Sequence, residues 1–188
     1  MRVNIGTMLD LPAAWLRVLA HPWVGTFDAE KPQANVIAPI LGMILAGLFA
    51  GLGESLVTIV FHDAPLDIWP MTVLNSLITM PVLFFAGSGL FFVVARLLAG
   101  QGGFVEQTYL LSLAAAPLAA LNGAVTNMPL IGTPVAIFTW VYGAILATTA
   151  LQATHGYEAT RAFATWAIPL ATFLGLTMCV LLCEVAVH

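Results

Sequence analysis

Between Glu106 and Glu158 the chain runs for 51 residues without a single Asp, Glu, Lys or Arg. Three further charge-free gaps cover 32–53, 68–95 and 162–183, of 22, 28 and 22 residues. A helix needs about 20 apolar residues to cross the hydrocarbon core of a bilayer, so each shorter gap holds one span and the gap of 51 holds two. Asn122, Gly123, Asn127, Pro129, Gly132 and Pro134 crowd the middle of the long gap and mark the turn between them. The expected spans are 36–59, 71–97, 105–124, 132–153 and 163–185. Long continuous apolar runs, rather than short alternating segments, exclude a β-barrel. Composition agrees: 61% of residues are hydrophobic and 7% charged, where a globular domain carries about 25% charged residues. The net charge of -4 removes a nucleic-acid footprint. The fold class expected is all-α: an integral membrane protein with a five-transmembrane-helix bundle at 36–188, preceded by a segment at 1–35.

Orientation follows from the basic residues. Arg2, Arg17 and Lys31 precede the first span, Arg96 ends the second and Arg161 lies between the fourth and fifth. With five spans all of them fall on one side; four or six spans would break that agreement. The positive-inside rule puts this side, with the N-terminus, in the cytoplasm and the C-terminus outside, in a cytoplasmic (inner) membrane. Within 1–35, Pro12, Arg17 and Pro22 interrupt the apolar stretch, so a cleavable signal peptide is not expected. Residues 11–21 instead pattern as a short amphipathic helix: Asp10 is placed to cap it, Pro12 lies in its first turn, and Leu11, Trp15, Val18 and Leu19 form an apolar stripe. Such a helix lies in the inner interface with Trp15 as its anchor at headgroup depth.

In lipid, helices associate through close packing at small residues and through hydrogen bonds. Gly47 and Gly51 form a GxxxG pair on the first span, and Gly87 and Gly89 offer small residues on the second. They fit packing inside one bundle or, through the first span, a homodimer seam. Pro81 and Pro117 fall in mid-span and kink their helices, while Pro39, Pro134 and Pro169 lie near span starts. Glu54 is the acid placed well inside a span. It reads either as an intramembrane ligand for a proton or cation, or as a carboxylate that snorkels or stays protonated beside Ser55 or Thr58. Asp63, Asp67, Glu184, His62 and His188 share its end of the bundle as an acidic rim, without tight metal-ligand spacing. Met178, Cys179 and Cys183 suit apolar packing better than a soft-metal set, and the spacing of the two cysteines is poor for a mutual disulfide.

The sequence has no HExxH, P-loop or GxGxxG motif, and around Ser88 no glycine within Phe84–Ala86 completes a GxSxG elbow. No catalytic residue, metal site or cofactor is expected. A secondary transporter usually carries an internal repeat, and five spans do not divide evenly. In the segment HGYEATRA, His155, Gly156 and Arg161 are candidates for a cytoplasmic contact; locally, Gly156 suits a helix terminator, and Glu158 and Arg161 suit the start of the next span.

The order of landmarks resembles the Yip family, the Ypt/Rab-interacting membrane proteins, in its bacterial and archaeal branch. Trp15, Pro22 and Phe27 match its lead segment, and Phe104, Gln107, Tyr109 and Pro117 match the entry to its third span. Trp140, Tyr142, Leu151, His155, Gly156, Arg161 and Ala162 follow its pattern after the fourth span, and Pro169 fits the proline that opens the last. Trp140 and Tyr142 stand closer together than that pattern has them, and the Asp-Leu-Tyr-Gly-Pro segment of the eukaryotic relatives, which bind prenylated Rab GTPases, is absent. Rab binding is therefore not carried over. The resemblance implies a non-enzymatic scaffold or organiser whose partners are membrane lipids and other membrane proteins or a second copy of itself. The competing class is a small channel or a cation- or proton-linked transporter built on Glu54 and the acidic rim.

Overall fold

The computed structural model describes residues 10–187, with side chains to Cys179. Arg2 and His188, and the side chains of Cys183 and Glu184, lie outside the described part. The described chain is helical. Two short helices, α1 (Leu11–Ala20) and α2 (Val24–Glu30), precede five long ones: α3 (Ile37–Phe61), α4 (Trp69–Leu97), α5 (Phe104–Val125), α6 (Gly132–His155) and α7 (Ala159–Val187). All five long helices are long and apolar enough to cross a membrane.

Local chemistry sets their ends. Asn35 starts α3: its Oδ1 accepts the Ile37 and Ala38 amides at 3.0 and 2.8 Å. Glu106 reaches back to the Gly103 amide, 3.3 Å, at the start of α5. Gly156 ends α6 in the left-handed conformation, φ 69°, that favours glycine. Asp10 does precede α1, but its side chain makes no capping hydrogen bond. Pro81 and Pro117 are interior to α4 and α5 as expected; Pro169 is interior as well, since α7 begins at Ala159, ahead of the expected start at 163. Residues 159–162, which precede the expected span, form its first turn.

The long helices close a ring in the order α3, α4, α7, α6, α5, and α5 is its most enclosed member. Gly47 and Gly51 face α4, where an added Cβ would run into the backbone of Ser76, Leu77 and Val73. The GxxxG pair is thus used within the chain. On the neighbouring side of α3, Gly53 and Ala50 interlock with Ala124 and Gly123 of α5. Gly87 and Gly89 are not packing positions: a Cβ on either meets nothing within 4 Å.

Candidate functional site

Helices α1 and α2 cover one end of the ring, α1 against α5 and α2 against α6. Leu11, Ala14 and Val18 are buried, and Phe27 is fully enclosed. Trp15, the expected interfacial anchor, is partly buried against the bundle. Its ring packs on α3, 3.5 Å from where a Cβ on Gly42 would stand and beside Ala116 of α5, and its Nε1 is buried without a hydrogen-bond partner. An indole at headgroup depth would keep that N–H wet; this one is a wedge. Tyr142 donates its hydroxyl hydrogen to the Leu19 carbonyl, tying α6 to α1. Arg17 and Glu30 tie α1 to α2, with Nη2 to Oε1 at 2.8 Å. Glu30 is buried, and its Oε2 has no partner.

Beside this lid lies a buried polar chain. The Gly102 amide donates to His155 Nδ1 at 3.1 Å. That nitrogen is therefore the acceptor, so Nε2 carries the hydrogen and donates it to Gln107 Oε1 at 2.9 Å. The Gln107 amide nitrogen in turn donates to the Ser88 carbonyl at 2.8 Å and lies 3.4 Å from its Oγ. Thr108 spends its hydrogen on the Phe104 carbonyl, 2.7 Å, so the 3.0 Å contact between Ser88 and Thr108 has Ser88 as donor. Donor to acceptor, the bonds lead from the α4–α5 link to α6, on to α5 and α4, and from Ser88 back to α5. Gln107 is 0% and His155 5% exposed. Tyr157 extends the cluster, stacking on His155 and donating to the Ala95 carbonyl. Burial pushes the Tyr157 phenol up from its ordinary pKa, so it stays a donor at neutral pH. Arg96 stands next to that carbonyl, 4.9 Å over the Phe92 ring and bonded to the Gly100 carbonyl at 3.0 Å.

The three candidates for a cytoplasmic contact are placed differently from one another. The His155 imidazole is enclosed and both its nitrogens are engaged, and Gly156 is the helix terminator; of the three candidates, Arg161 has an exposed side chain. Gln107 and Ser88 were not singled out as a site, although Gln107 stands in the pattern that carried the family resemblance.

At the opposite end, Glu54 is half-buried, and its carboxylate makes no hydrogen bond or ion pair among the described residues. The polar neighbours expected for it are occupied: Ser55 Oγ donates to the Gly51 carbonyl at 2.6 Å and Thr58 Oγ1 to the Glu54 carbonyl at 2.7 Å. Asp63 and Asp67 are exposed, and His62 Nε2 lies 3.1 Å from the Asn127 carbonyl. Among the described residues no group of three potential metal ligands comes together, and Cys179 is exposed.

Between the two ends, α4, α5, α6 and α7 line a laterally open cavity of about 560 Å³. Its walls are apolar and rich in small residues, including Gly87, Ala115, Gly143 and Ala147, with Ser88 at one end and the hydrogen-bonded pair Asn122 and Thr139 at the other.

A family model described as the Yip1 domain matches residues 16–181, nearly the whole chain. No curated protein and no solved structure matches.

Proposed function

Since the chain belongs to the Yip1 family and is an integral membrane protein, we propose that it is a non-enzymatic membrane organiser that holds other membrane proteins or lipids against a rigid bundle. The observation that carries this reading is the polar chain from Gly102 to Thr108. Its groups are buried and spent on one another, and a satisfied buried network fixes a structure rather than turning over a substrate. In this reading the end bearing α1 and α2 faces the cytoplasm and presents exposed apolar side chains, Leu16 and Trp23, at 69% and 70% exposure.

The test is photo-crosslinking in native membranes from probes at Leu16 and Trp23, with a probe at exposed Leu130 of the α5–α6 link as reference. Discrete adducts with membrane proteins from the first two positions, and none from Leu130, are expected. An adduct pattern indistinguishable from the reference overturns the reading.

A further inference from the structure

We infer that the cavity between α4, α5, α6 and α7 is the acyl-chain half of a binding site for an anionic phospholipid, whose phosphate is held by Arg96 and Arg161. The inference deepens the organiser reading and rests on it, because it names a lipid as one bound component.

The cavity supplies the first half. A volume of about 560 Å³ is in the range of ligand sites, which are mostly apolar with a few polar groups at fixed places. It lies between membrane-spanning helices, so hydrocarbon is what surrounds it. Along α5 it extends from Leu111 to Asn122, about 16 Å at 1.5 Å per residue, roughly half the hydrocarbon thickness. That is the depth one acyl chain occupies. Leu83, Trp140 and Phe173 line it and are more than half exposed, so it opens sideways to the bilayer. Gly87, which packs against nothing, lines the wall; its missing side chain leaves space in the cavity.

Charge supplies the second half. Of the four described Lys and Arg residues, Arg17 pairs with Glu30 and Lys31 with Asp28. Arg96 and Arg161 have no acidic partner among the described residues, although Glu158 is exposed on the same turn as Arg161. The fold brings them to one edge. Tyr157 bonds to the Ala95 carbonyl, adjacent to Arg96, and Arg161 lies four residues beyond Tyr157, in the first turn of α7. Arg96 stands five residues past Phe91 on α4, and Arg161 five before Trp166 on α7, so each is about 7.5 Å of helix rise from a residue at that end of the cavity. The bonds of Arg96 to Gly100 and Phe92 fix its direction and leave guanidinium donors for a phosphate oxygen. Basic pockets between membrane helices take anionic headgroups in this way.

The full-length protein, reconstituted with equal amounts of dioleoyl phosphatidylglycerol and dioleoyl phosphatidylcholine, is released into mild detergent, and retained lipid is counted by native mass spectrometry. Wild type should retain phosphatidylglycerol preferentially. Arg96→Gln and Arg161→Gln should each lower that preference about fivefold, the factor corresponding to about 1 kcal/mol per cation near a membrane surface. Gly87→Leu should reduce retention of both lipids by occupying the cavity. An unchanged headgroup preference in the double arginine variant, or wild-type retention in a folded Gly87→Leu protein, overturns the site. If Gly87→Leu fails to fold, the arginine variants decide alone. The organiser reading is judged separately: crosslinks from Leu16 and Trp23 that persist when lipid retention shows no preference would leave it standing while the lipid site falls.

Discussion

At the end of the bundle that carries α1 and α2, polar groups are enclosed and matched. Gln107, His155, Ser88 and Thr108 pass hydrogen bonds from helix to helix, and Arg17, Glu30, Tyr142 and Leu19 clamp the lid. At the opposite end the ring is joined by small residues, Gly53 and Ala50 against Gly123 and Ala124, and by two separate polar links, His62 to the Asn127 carbonyl and Thr139 to Asn122 Oδ1. Glu54 stands there without a partner among the described residues. The contrast separates two ways of holding membrane helices together. Hydrogen bonds specify one alignment, because a shift strands buried groups; small residues specify closeness and tolerate polar neighbours that do nothing for the packing.

The largest expected effect lies in the network. Gln107→Leu strands the His155 N–H and removes the side-chain donor to the Ser88 carbonyl and hydroxyl. Each stranded buried group costs about 1–3 kcal/mol, so this variant should lose the most stability in thermal unfolding in detergent. A loss no greater than that of Glu54→Leu would erase the distinction between the two ends. Next comes Gly123→Leu, whose side chain would meet Ala50 of α3, backbone included. Overpacking of this kind costs about 1–3 kcal/mol, and Ala50→Gly in the same chain should restore part of the loss.

Arg17→Met should cost less, about 1–2 kcal/mol. Removing one partner of an enclosed ion pair costs about 3–5 kcal/mol, but the Arg17 side chain is 49% exposed and Glu30 5%, so water screens much of the interaction. The direction is firm because the other Glu30 oxygen already lacks a partner. Limited proteolysis between α2 and α3 should speed up in this variant if the lid loosens while the ring stays intact.

The five spans, their order and the short first helix were legible because they are written in uncharged length and in apolar spacing, which act locally. The GxxxG pair was legible as a packing surface, but its neighbour was not: small residues announce a close approach without saying which helix makes it. Gly87 and Gly89 show the limit. They carry the same local signal as Gly47 and Gly51, yet one lines a cavity and a Cβ on either would meet nothing within 4 Å. The polar chain was hidden for a different reason. Gln107 and His155 are 48 residues apart and Ser88 lies a helix away, and nothing in spacing brings them together. The signal that touched them was the family pattern, in which Gln107 and His155 are both landmarks, though it did not join them. Glu54 drew notice because a lone acid in an apolar run is conspicuous, which concerns its surroundings in sequence and not its bonds in the fold.

Glu54 gives the smallest expected effect and the finest test of the contrast. If its carboxylate held α3 to a neighbour, Glu54→Gln would keep the bond and Glu54→Leu would lose about 1 kcal/mol, the upper part of what a hydrogen bond between membrane helices is worth. The hydroxyls of Ser55 and Thr58 are instead bonded to carbonyls of their own helix, and no bond or ion pair to the carboxylate is present among the described residues. Both variants should therefore unfold within about 0.5 kcal/mol of wild type, as substitutions away from a specific contact do. A selective loss in Glu54→Leu would mean that the opposite end also contains a polar clamp. The same pair of variants bears on the transporter reading, because an ion-handling acid needs no structural partner: in proteoliposomes, proton or cation flux that disappears in Glu54→Gln while unfolding is unchanged would assign Glu54 to transport. Flux at the level of empty vesicles in both wild type and Glu54→Gln is expected, since among the described residues no chain of polar groups like the one that runs from Gly102 to Thr108 reaches Glu54.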